Sequence, residues 1–312
     1  MKINYSQVKD LELEQNIVDS LNEIAELDYV KEISVSRDIH FCKDIPVGVM
    51  VKASRFNAKW IGSDIGCGVS MVELPKGFID NLTASDIDRL SNELNRGITS
   101  SYKLGTIGGG NHFVEFGFDE ETGKEYVTIH SGSRQHGDMI ANMISEFDLP
   151  DHLKYKLYKE SVKFAVYNHE SLIHKIDKKL KLKNYIPHNY CIRENDTYIH
   201  FKGSMLGNNG KALYPIPANM RDGVFVISVA TDQPTHLPHG AGRILSRRQA
   251  RDKFTNDDLI QQTSGLKNQI HLKNIDELPD SYKNINDVLN PLVDMGLIKI
   301  VRKVKPVYNF KG

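Results

Sequence analysis

The sequence contains little cysteine, no long apolar run and no excess charge of either sign. Its 312 residues include three cysteines, and 40 lysines and arginines balance 40 aspartates and glutamates. Cys42, Cys67 and Cys191 are too few and too widely spaced for a disulfide framework, which favours a reducing, cytoplasmic setting. The clearest apolar run, Val224 to Ala230, is far too short to span a bilayer. The zero net charge excludes a global basic field, so any nucleic acid would have to bind local patches.

The overall composition is that of a folded chain. Hydrophobic residues make up 40% and charged residues 26% of the sequence, and the mean hydropathy is −0.40. These values exclude an intrinsically disordered chain and a membrane protein. The segment from Met1 to Tyr5 lacks the apolar stretch of an export signal. We therefore expect a cytoplasmic protein with one domain over residues 1–312.

Apolar periodicity alternates irregularly between helical and strand patterns. Helical spacing predicts helices over Val8 to Ala25, Thr83 to Leu94, Asp151 to Leu182 and Ser246 to Phe254. Alternating or continuous apolar stretches predict strands over Val47 to Val51, Tyr126 to His130, Tyr198 to Phe201, Val224 to Ala230 and Ile298 to Val307. Because regular strand–helix alternation is missing, the pattern favours an α+β fold with mixed sheets and surrounding helices over a doubly wound sheet.

One glycine-rich segment, residues 62–68, carries a carboxylate and a thiol. Asp64 and Cys67 stand three residues apart among glycines, which allow tight turns and bring both groups toward one centre. A thiolate binds soft or borderline metals and a carboxylate binds harder ones. A turn around a buried structural cysteine explains this segment equally well when it is taken alone.

A second glycine-rich segment, residues 104–115, matches neither a dinucleotide-binding fingerprint nor a P-loop. Its glycines would still let backbone N–H groups approach an anion closely. Asn111, His112 and Glu115 add an amide, a metal-binding imidazole and an acceptor. Taken alone, this segment also fits a turn beside a core histidine.

Histidines are concentrated between His112 and His239, which hold ten of the twelve. His130 at a predicted strand end, His188 in a loop and His239 in a glycine-rich turn are placed as ligands or reactive groups would be. By contrast, a further set lies in a charged helical stretch and is predicted to be on the surface: His152, His169 and His174.

Several motifs in order resemble the RtcB family of RNA-splicing ligases. They are Asp64-Ile65-Gly66-Cys67-Gly68, Gly105 to Phe113, His130-Ser131-Gly132-Ser133-Arg134 and His239-Gly240-Ala241-Gly242-Arg243. Asp38-Ile39-His40, Ile45 to Gly48 and the ending Lys305 to Gly312 extend the resemblance over nearly the whole chain. The family joins an RNA 3′-phosphate or 2′,3′-cyclic phosphate to a 5′-hydroxyl, and the resemblance implies an RtcB-like fold.

The resemblance implies a site with two manganese ions and GTP. The implied metal ligands are Asp64, Cys67, His112, His130 and His188, with Cys67 bridging the ions. His239 would be the nucleophile that takes GMP from GTP. The implied nucleotide contacts are Asn111, Phe113, Glu115, Asn189, Asn219, Met220, Gly240, Ala241, Gly242, Tyr282 and Lys311. Three basic residues are candidates for RNA phosphates: Arg243, Arg247 and Arg248.

Two departures from the family pattern keep alternatives open. Pro217-Ala218-Asn219-Met220-Arg221 stands where the family has Pro-Gly-Ser-Met-Gly, and Phe201-Lys202-Gly203 stands where it has Arg-Lys-Gly.

From ligand types alone, zinc would suit the cysteine and histidines, whereas manganese comes from the resemblance.

The leading hypothesis is a GTP- and manganese-dependent RNA ligase of RNA repair or tRNA splicing, with RNA ends as its partner. The alternatives are a metal-dependent cyclic phosphodiesterase or phosphatase and a non-ligating RNA-binding relative. Whether an activating protein partner is needed stays open.

Overall fold

The computed structural model describes residues 2–42, 44–95, 103–210 and 212–312, which contain fourteen strands and seven α-helices. The strands are β1 Ile3–Asn4, β2 Val30–His40, β3 Val47–Ala53, β4 Gly68–Glu73, β5 Phe113–Asp119, β6 Glu125–Ser131, β7 Tyr185–Pro187, β8 Asn189–Glu194, β9 Thr197–Lys202, β10 Ser204–Gly207, β11 Tyr214–Asn219, β12 Gly223–Val229, β13 Thr235–Pro238 and β14 Ile298–Lys311. The α-helices are α1 Gln15–Glu26, α2 Ala84–Asn95, α3 Gln135–Glu146, α4 Asp151–Ile176, α5 Arg247–Lys253, α6 Asn256–Thr263 and α7 Ile285–Asp294.

Three sheets organise the described residues. A seven-stranded sheet has the order β11-β12-β14-β5-β6-β4-β7, a five-stranded sheet has the order β1-β2-β3-β9-β8, and β10 pairs with β13. β1 and β2 run parallel, and the other ladders are antiparallel. The predicted α+β class is confirmed. None of the described helices combines the length and the apolar character that crossing a membrane requires.

The predicted elements are found, but two helices are shorter than predicted. α1 begins at Gln15 rather than Val8, because residues 5–11 form turns in which Val8 N–H donates to the Tyr5 carbonyl. α4 ends at Ile176 rather than Leu182. Asp177 is extended and its carboxylate accepts the backbone N–H of Lys179, which competes with the next helical turn.

Five neighbouring strands of the seven-stranded sheet end together. One row of paired residues crosses them: Lys311 of β14, Phe113 of β5, His130 of β6, Val69 of β4 and Ile186 of β7. Cys67 precedes β4, His112 precedes β5 and His188 follows β7. Because cross-strand neighbours lie within about 5 Å of each other, the sheet register brings these distant segments to one place.

A buried polar pair on α4, Asn168 and His169, ties this helix to the strand ends. The Asn168 side chain accepts the N–H groups of Gly105 and Thr106 and donates to the Thr106 carbonyl and Ser131 Oγ. His169 Nε2–H donates to the Ser131 carbonyl at 2.9 Å. The surface prediction for His169 is therefore wrong: its side chain is fully buried, and burial lowers its pKa to about 4. His152 and His174 are exposed as predicted.

We expect Asn168→Ala to lower the free energy of unfolding by about 2–4 kcal/mol, because it leaves buried backbone groups of the glycine-rich loop without partners. Urea denaturation measures the change. Glu170→Ala, an exposed position on the same helix, is the control and should change stability by less than about 0.5 kcal/mol. Equal stabilities of the two variants would contradict this role of Asn168.

Candidate active site

The residues predicted as metal ligands form one cluster, which we call the donor cluster. The ligand atoms of Cys67, His112 and His130 all lie within 4.8 Å of one another. Cys67 Sγ lies 3.2 Å from His130 Nε2 and 3.4 Å from His112 Nε2. His188 Nε2 lies 3.2 Å from His130 Nε2, and Asp64 Oδ2 lies 2.8 Å from His112 Nε2. Local sequence alone does not bring these five side chains together; the ends of β4, β5, β6 and β7 do.

The chemistry of the donor cluster fits a metal ion. His130 Nδ1–H donates to the Asn111 carbonyl, which leaves the lone pair of the neutral ring on Nε2, facing the cluster. Burial lowers the pKa of His130 and of His188 well below the ordinary value, so both rings are neutral, as metal ligands must be. In a tetrahedral site with bonds of about 2.0–2.3 Å, ligand atoms stand about 3.3–3.7 Å apart, which is close to the 3.2 and 3.4 Å from Cys67 Sγ to the two histidine nitrogens.

Cys67 needs such a cation to ionise. Burial, with the carboxylate of Asp64 adding to it, raises the pKa of the Cys67 thiol well above its ordinary value. A bound cation reverses that effect, because a metal-coordinating thiol is deprotonated. Cys67 is therefore a buried ligand candidate and not a free nucleophile.

Asp64 is held by its packing against the end of β6. Its Oδ1 accepts the backbone N–H of Arg134. A Cβ added to Gly132 would overlap the Asp64 carboxylate. Only glycine at position 132 therefore lets the carboxylate lie close to the strand end and face His112.

A second buried pair, Asp38 and His239, adjoins the donor cluster. Asp38 Oδ2 accepts the backbone N–H of His239 at 2.9 Å and its Nδ1–H at 2.6 Å. Burial opposes ionisation of Asp38, but its contacts with His239 outweigh this and lower its pKa to about 2. With Nδ1–H held by the carboxylate, the lone pair of a neutral His239 ring is on Nε2. The ring centroids of His239 and His188 are 4.9 Å apart.

A cavity of about 650 Å³ extends from His239 and His130. All residues predicted to contact the nucleotide line it, except Asn189: Asn111, Phe113, Glu115, Asn219, Met220, Gly240, Ala241, Gly242, Tyr282 and Lys311. Asn189 lies outside the lining. Its Oδ1 accepts the Gly203 N–H and its Nδ2 donates to the Asp64 carbonyl, so it links two loops.

The floor of the cavity is a block of four side chains from β5 and β14. The strand register pairs Lys311 with Phe113 and Asn309 with Glu115. Lys311 Nζ lies 5.9 Å from the centroid of the Phe113 ring, and Asn309 Nδ2 donates to Glu115 Oε2 at 2.7 Å. Burial raises the pKa of Glu115 to about 8, and the hydrogen bond from Asn309 and the charge of Lys311 offset this only in part.

Along one side of the cavity, which we call the wall, three cationic side chains contact the carboxylate of Glu277. Its carboxylate contacts Lys311 Nζ and Arg243 Nη1 at 3.2 Å each, and also contacts Arg247 and the Tyr282 hydroxyl. Burial alone would raise the pKa of Glu277, but the three cations lower it to about 2. The wall is therefore held by a buried anion that stays ionised at any physiological pH.

Comparison with known protein families gives a match over most of the chain. A family model described as "tRNA-splicing ligase RtcB" matches residues 95–171 and 155–312. The chain belongs to the RtcB family.

Relatives match over most of the chain at low identity. RNA-splicing ligase RtcB2 of Escherichia coli is 27% identical over 359 aligned positions, which cover 97% of this chain and 94% of that protein. RNA-splicing ligase RtcB of E. coli K12 is 24% identical, with 90% of each chain covered. The tRNA-splicing ligase RtcB of Nanoarchaeum equitans is 26% identical, with 76% of this chain and 64% of that protein covered. The resemblance to the RtcB family is confirmed.

In this RtcB-family chain, the three arginines proposed as RNA contacts differ in how many protein groups they already bind. The guanidinium of Arg243 donates hydrogen bonds to four groups of the protein: Glu277, the Asp276 carbonyl, the Leu245 carbonyl and the Tyr282 hydroxyl. Its side chain is 14% exposed and lines the cavity, and its role as an RNA contact stays a prediction.

Arg247 and Arg248 remain candidates for RNA phosphates. Arg247 lines the cavity, is 41% exposed and pairs with Asp276 and Glu277. Arg248 is 93% exposed and lies outside the cavity lining. Of the three arginines, Arg248 is therefore the one that pairs with no buried carboxylate among the described residues.

Three site residues of this RtcB-family chain lack a clear signal in the sequence. Asp38 appears there only within a motif, and no spacing relates it to His239, 201 residues away. Glu277 has no local signal in the sequence, because the three cations that contact it come from distant segments. They are Arg247 of α5, Arg243 of the turn before α5 and Lys311 at the end of β14. Asn309 faces Glu115 only through the strand register.

We expect Gly132→Ala to weaken Mn²⁺ binding about 10- to 100-fold, the range found when a ligand's supporting contacts are lost. The added methyl group displaces the Asp64 carboxylate from the donor cluster. Titration calorimetry with Mn²⁺ measures the affinity. Gly265→Ala is the control, because a Cβ there meets no atom within 4 Å. Unchanged Mn²⁺ affinity of Gly132→Ala would show that Asp64 is not a ligand.

The buried Glu115 predicts a pH dependence of stability. Its pKa is about 8 in the fold against an ordinary value of 4.5, so between these pH values the folded chain binds more protons than the unfolded chain. Stability therefore falls as pH rises from about 5 to about 8. We expect Glu115→Gln to remove part of that fall in Tm, measured by thermal denaturation. Glu121→Gln, at an exposed position, should keep the slope of the parent; an equal slope in Glu115→Gln would refute the prediction.

Proposed function

We propose that this protein is a GTP- and manganese-dependent RNA ligase that joins 3′-phosphate or 2′,3′-cyclic phosphate ends to 5′-hydroxyl ends, in RNA repair or tRNA splicing. One observation carries the proposal. The Asp38–His239 pair and the donor cluster adjoin each other at one cavity. A held histidine beside metal ligands is what nucleotidyl transfer to an imidazole requires. Membership of the RtcB family supports the same reaction class.

His239 is the proposed nucleophile. Its Nε2 lone pair attacks the α-phosphorus of GTP, a nitrogen–phosphorus bond forms, and the bond to the β-phosphate oxygen breaks with release of pyrophosphate. Asp38 holds Nδ1–H and stabilises the positive charge that develops on the ring. The resulting histidine–GMP bond is labile enough to pass GMP onward.

Asp64, Cys67, His112, His130 and His188 are the residues that would hold the metal. When bound, manganese supplies charge neutralisation at the phosphates and aligns them for in-line attack. Oxygen ligands from Asp64 suit manganese, while the cysteine and histidines also suit zinc. Two ions are proposed on the resemblance, and Cys67 would be among their ligands.

The resemblance to the RtcB family implies the later steps. Water opens a cyclic phosphate to an RNA 3′-phosphate, which attacks the histidine-bound GMP and frees His239. The 5′-hydroxyl then attacks the activated 3′-phosphate, a phosphodiester forms and GMP leaves. Arg247 and Arg248 are the proposed contacts for RNA phosphates, and such contacts weaken as salt rises.

A second candidate function, a cyclic phosphodiesterase or phosphatase that does not ligate, is motivated by Asn219. Its Oδ1 accepts the N–H groups of Arg221 and Asp222, and its Nδ2 donates to the Asp222 carboxylate at 2.7 Å. The amide that stands where the family has serine is therefore occupied in closing its own turn. A site altered there could bind metal and RNA ends yet fail to use GTP.

Labelling with GTP that carries ³²P at the α-phosphate tests the ligase proposal. With Mn²⁺, we expect label on the denatured protein, and its loss in His239→Ala and in Cys67→Ala, because one removes the nucleophile and the other a ligand. His152→Ala, an exposed histidine, is the matched control and should label fully. Label that persists in His239→Ala would exclude this nucleophile. Opening of a cyclic-phosphate RNA without any label would favour the phosphodiesterase.

A further inference from the structure

Asn309 and Glu115 line the cavity, and each carries one acceptor atom that the protein does not use. Glu115 Oε1 and Asn309 Oδ1 are buried and have no hydrogen-bond partner within the described residues. The two residues are 3% and 2% exposed, and both line the cavity that holds His239. A buried acceptor without a partner is costly. A ligand that donates to both atoms would satisfy the pair.

The position of this pair is fixed by the fold. Asn309 Nδ2 donates to Glu115 Oε2 at 2.7 Å, so one half of each side chain is used to hold the other. The backbone of Asn309 is held as well, because Asn268 Oδ1 accepts its N–H at 2.9 Å and Asn268 Nδ2 donates to its carbonyl at 2.8 Å. The acceptors are therefore preorganised rather than free to turn toward any ligand.

Two acceptors on side chains that are hydrogen-bonded to each other suit a ligand with two adjacent N–H donors. Among the nucleobases, guanine presents a ring N–H beside an exocyclic amino group on its Watson–Crick edge. Adenine, cytosine and uracil each present an acceptor beside a donor on that edge. A site whose buried groups are left unpaired by the wrong ligand discriminates strongly.

We propose that Asn309 is a specificity-determining residue of the nucleotide site, whose Oδ1 accepts from the exocyclic amino group of guanine. Glu115 Oε1, held in place by Asn309 Nδ2, accepts from the ring N–H. The inference rests on the proposed function, since it takes the ligand of the cavity to be a guanine nucleotide. Donors from the base also favour the ionised carboxylate, whose pKa burial otherwise raises.

Binding of GTP and of inosine triphosphate separates this role from a structural one. Inosine triphosphate lacks only the exocyclic amino group, so it cannot use Asn309 Oδ1. We expect the parent protein to bind GTP about tenfold more tightly than inosine triphosphate, the factor of one hydrogen bond. In Asn309→Ala, GTP binding should fall to the level of inosine triphosphate. Titration calorimetry with Mn²⁺ present gives both constants, and Asn286→Ala, exposed on α7, should keep the preference.

The ratio of the two affinities decides the inference. Both nucleotides are measured on one preparation, so a loss of folded Asn309→Ala protein does not change the ratio. If GTP and inosine triphosphate weaken in parallel, or if the parent has no preference, the inference is overturned. The α-phosphate labelling is independent: a parent that prefers GTP but takes no label would overturn the proposed ligase reaction and leave the role of Asn309 supported.

Discussion

Five strands of the seven-stranded sheet end side by side, and the candidate site depends on the hydrogen-bonded register that aligns them. The row from Lys311 through Phe113 and His130 to β4 and β7 sets the distances between the segments that carry Cys67, His112, His130 and His188. The candidate metal ligands lie at or near these strand ends, and the floor of the cavity is built from β5 and β14. A slip of one residue in β5 would turn Phe113 and Glu115 away from the cavity, because side chains alternate between faces.

Burial then gives the site its electrostatic character. His130 and His188 are kept neutral, while Asp38 and Glu277 are kept ionised by specific partners. Burial disfavours the charged form of all four groups. The two carboxylates ionise nevertheless because cations or a histidine contact them, whereas the two histidines face each other. The protein thus holds neutral ligands and fixed anions within one cavity before any ligand arrives, which is the condition for strong electrostatic stabilisation.

The polar side chains that hold the candidate site residues in place lie behind them, away from the cavity lining. Asn168 and His169 join α4 to the glycine-rich loop and to Ser131, next to His130. Asn268 does the same for Asn309, from a segment that packs along β14. In both places a side-chain amide forms hydrogen bonds with backbone groups that no neighbouring strand satisfies. Stability and site geometry are therefore supplied by the same contacts.

The residue types of the site, the family and most of the elements can be predicted from the amino-acid order alone. Most candidate metal ligands and His239 stand in glycine-rich motifs that are specific when taken together, and strands such as β12 follow from continuous apolar runs. The pairing of Asp38 with His239, the burial of His169 and Arg243, and the meeting of Asn309 with Glu115 emerge only from the folded arrangement. Local periodicity encodes the face of an element on which a residue lies, but contacts between distant residues depend on strand order and register, which periodicity does not encode.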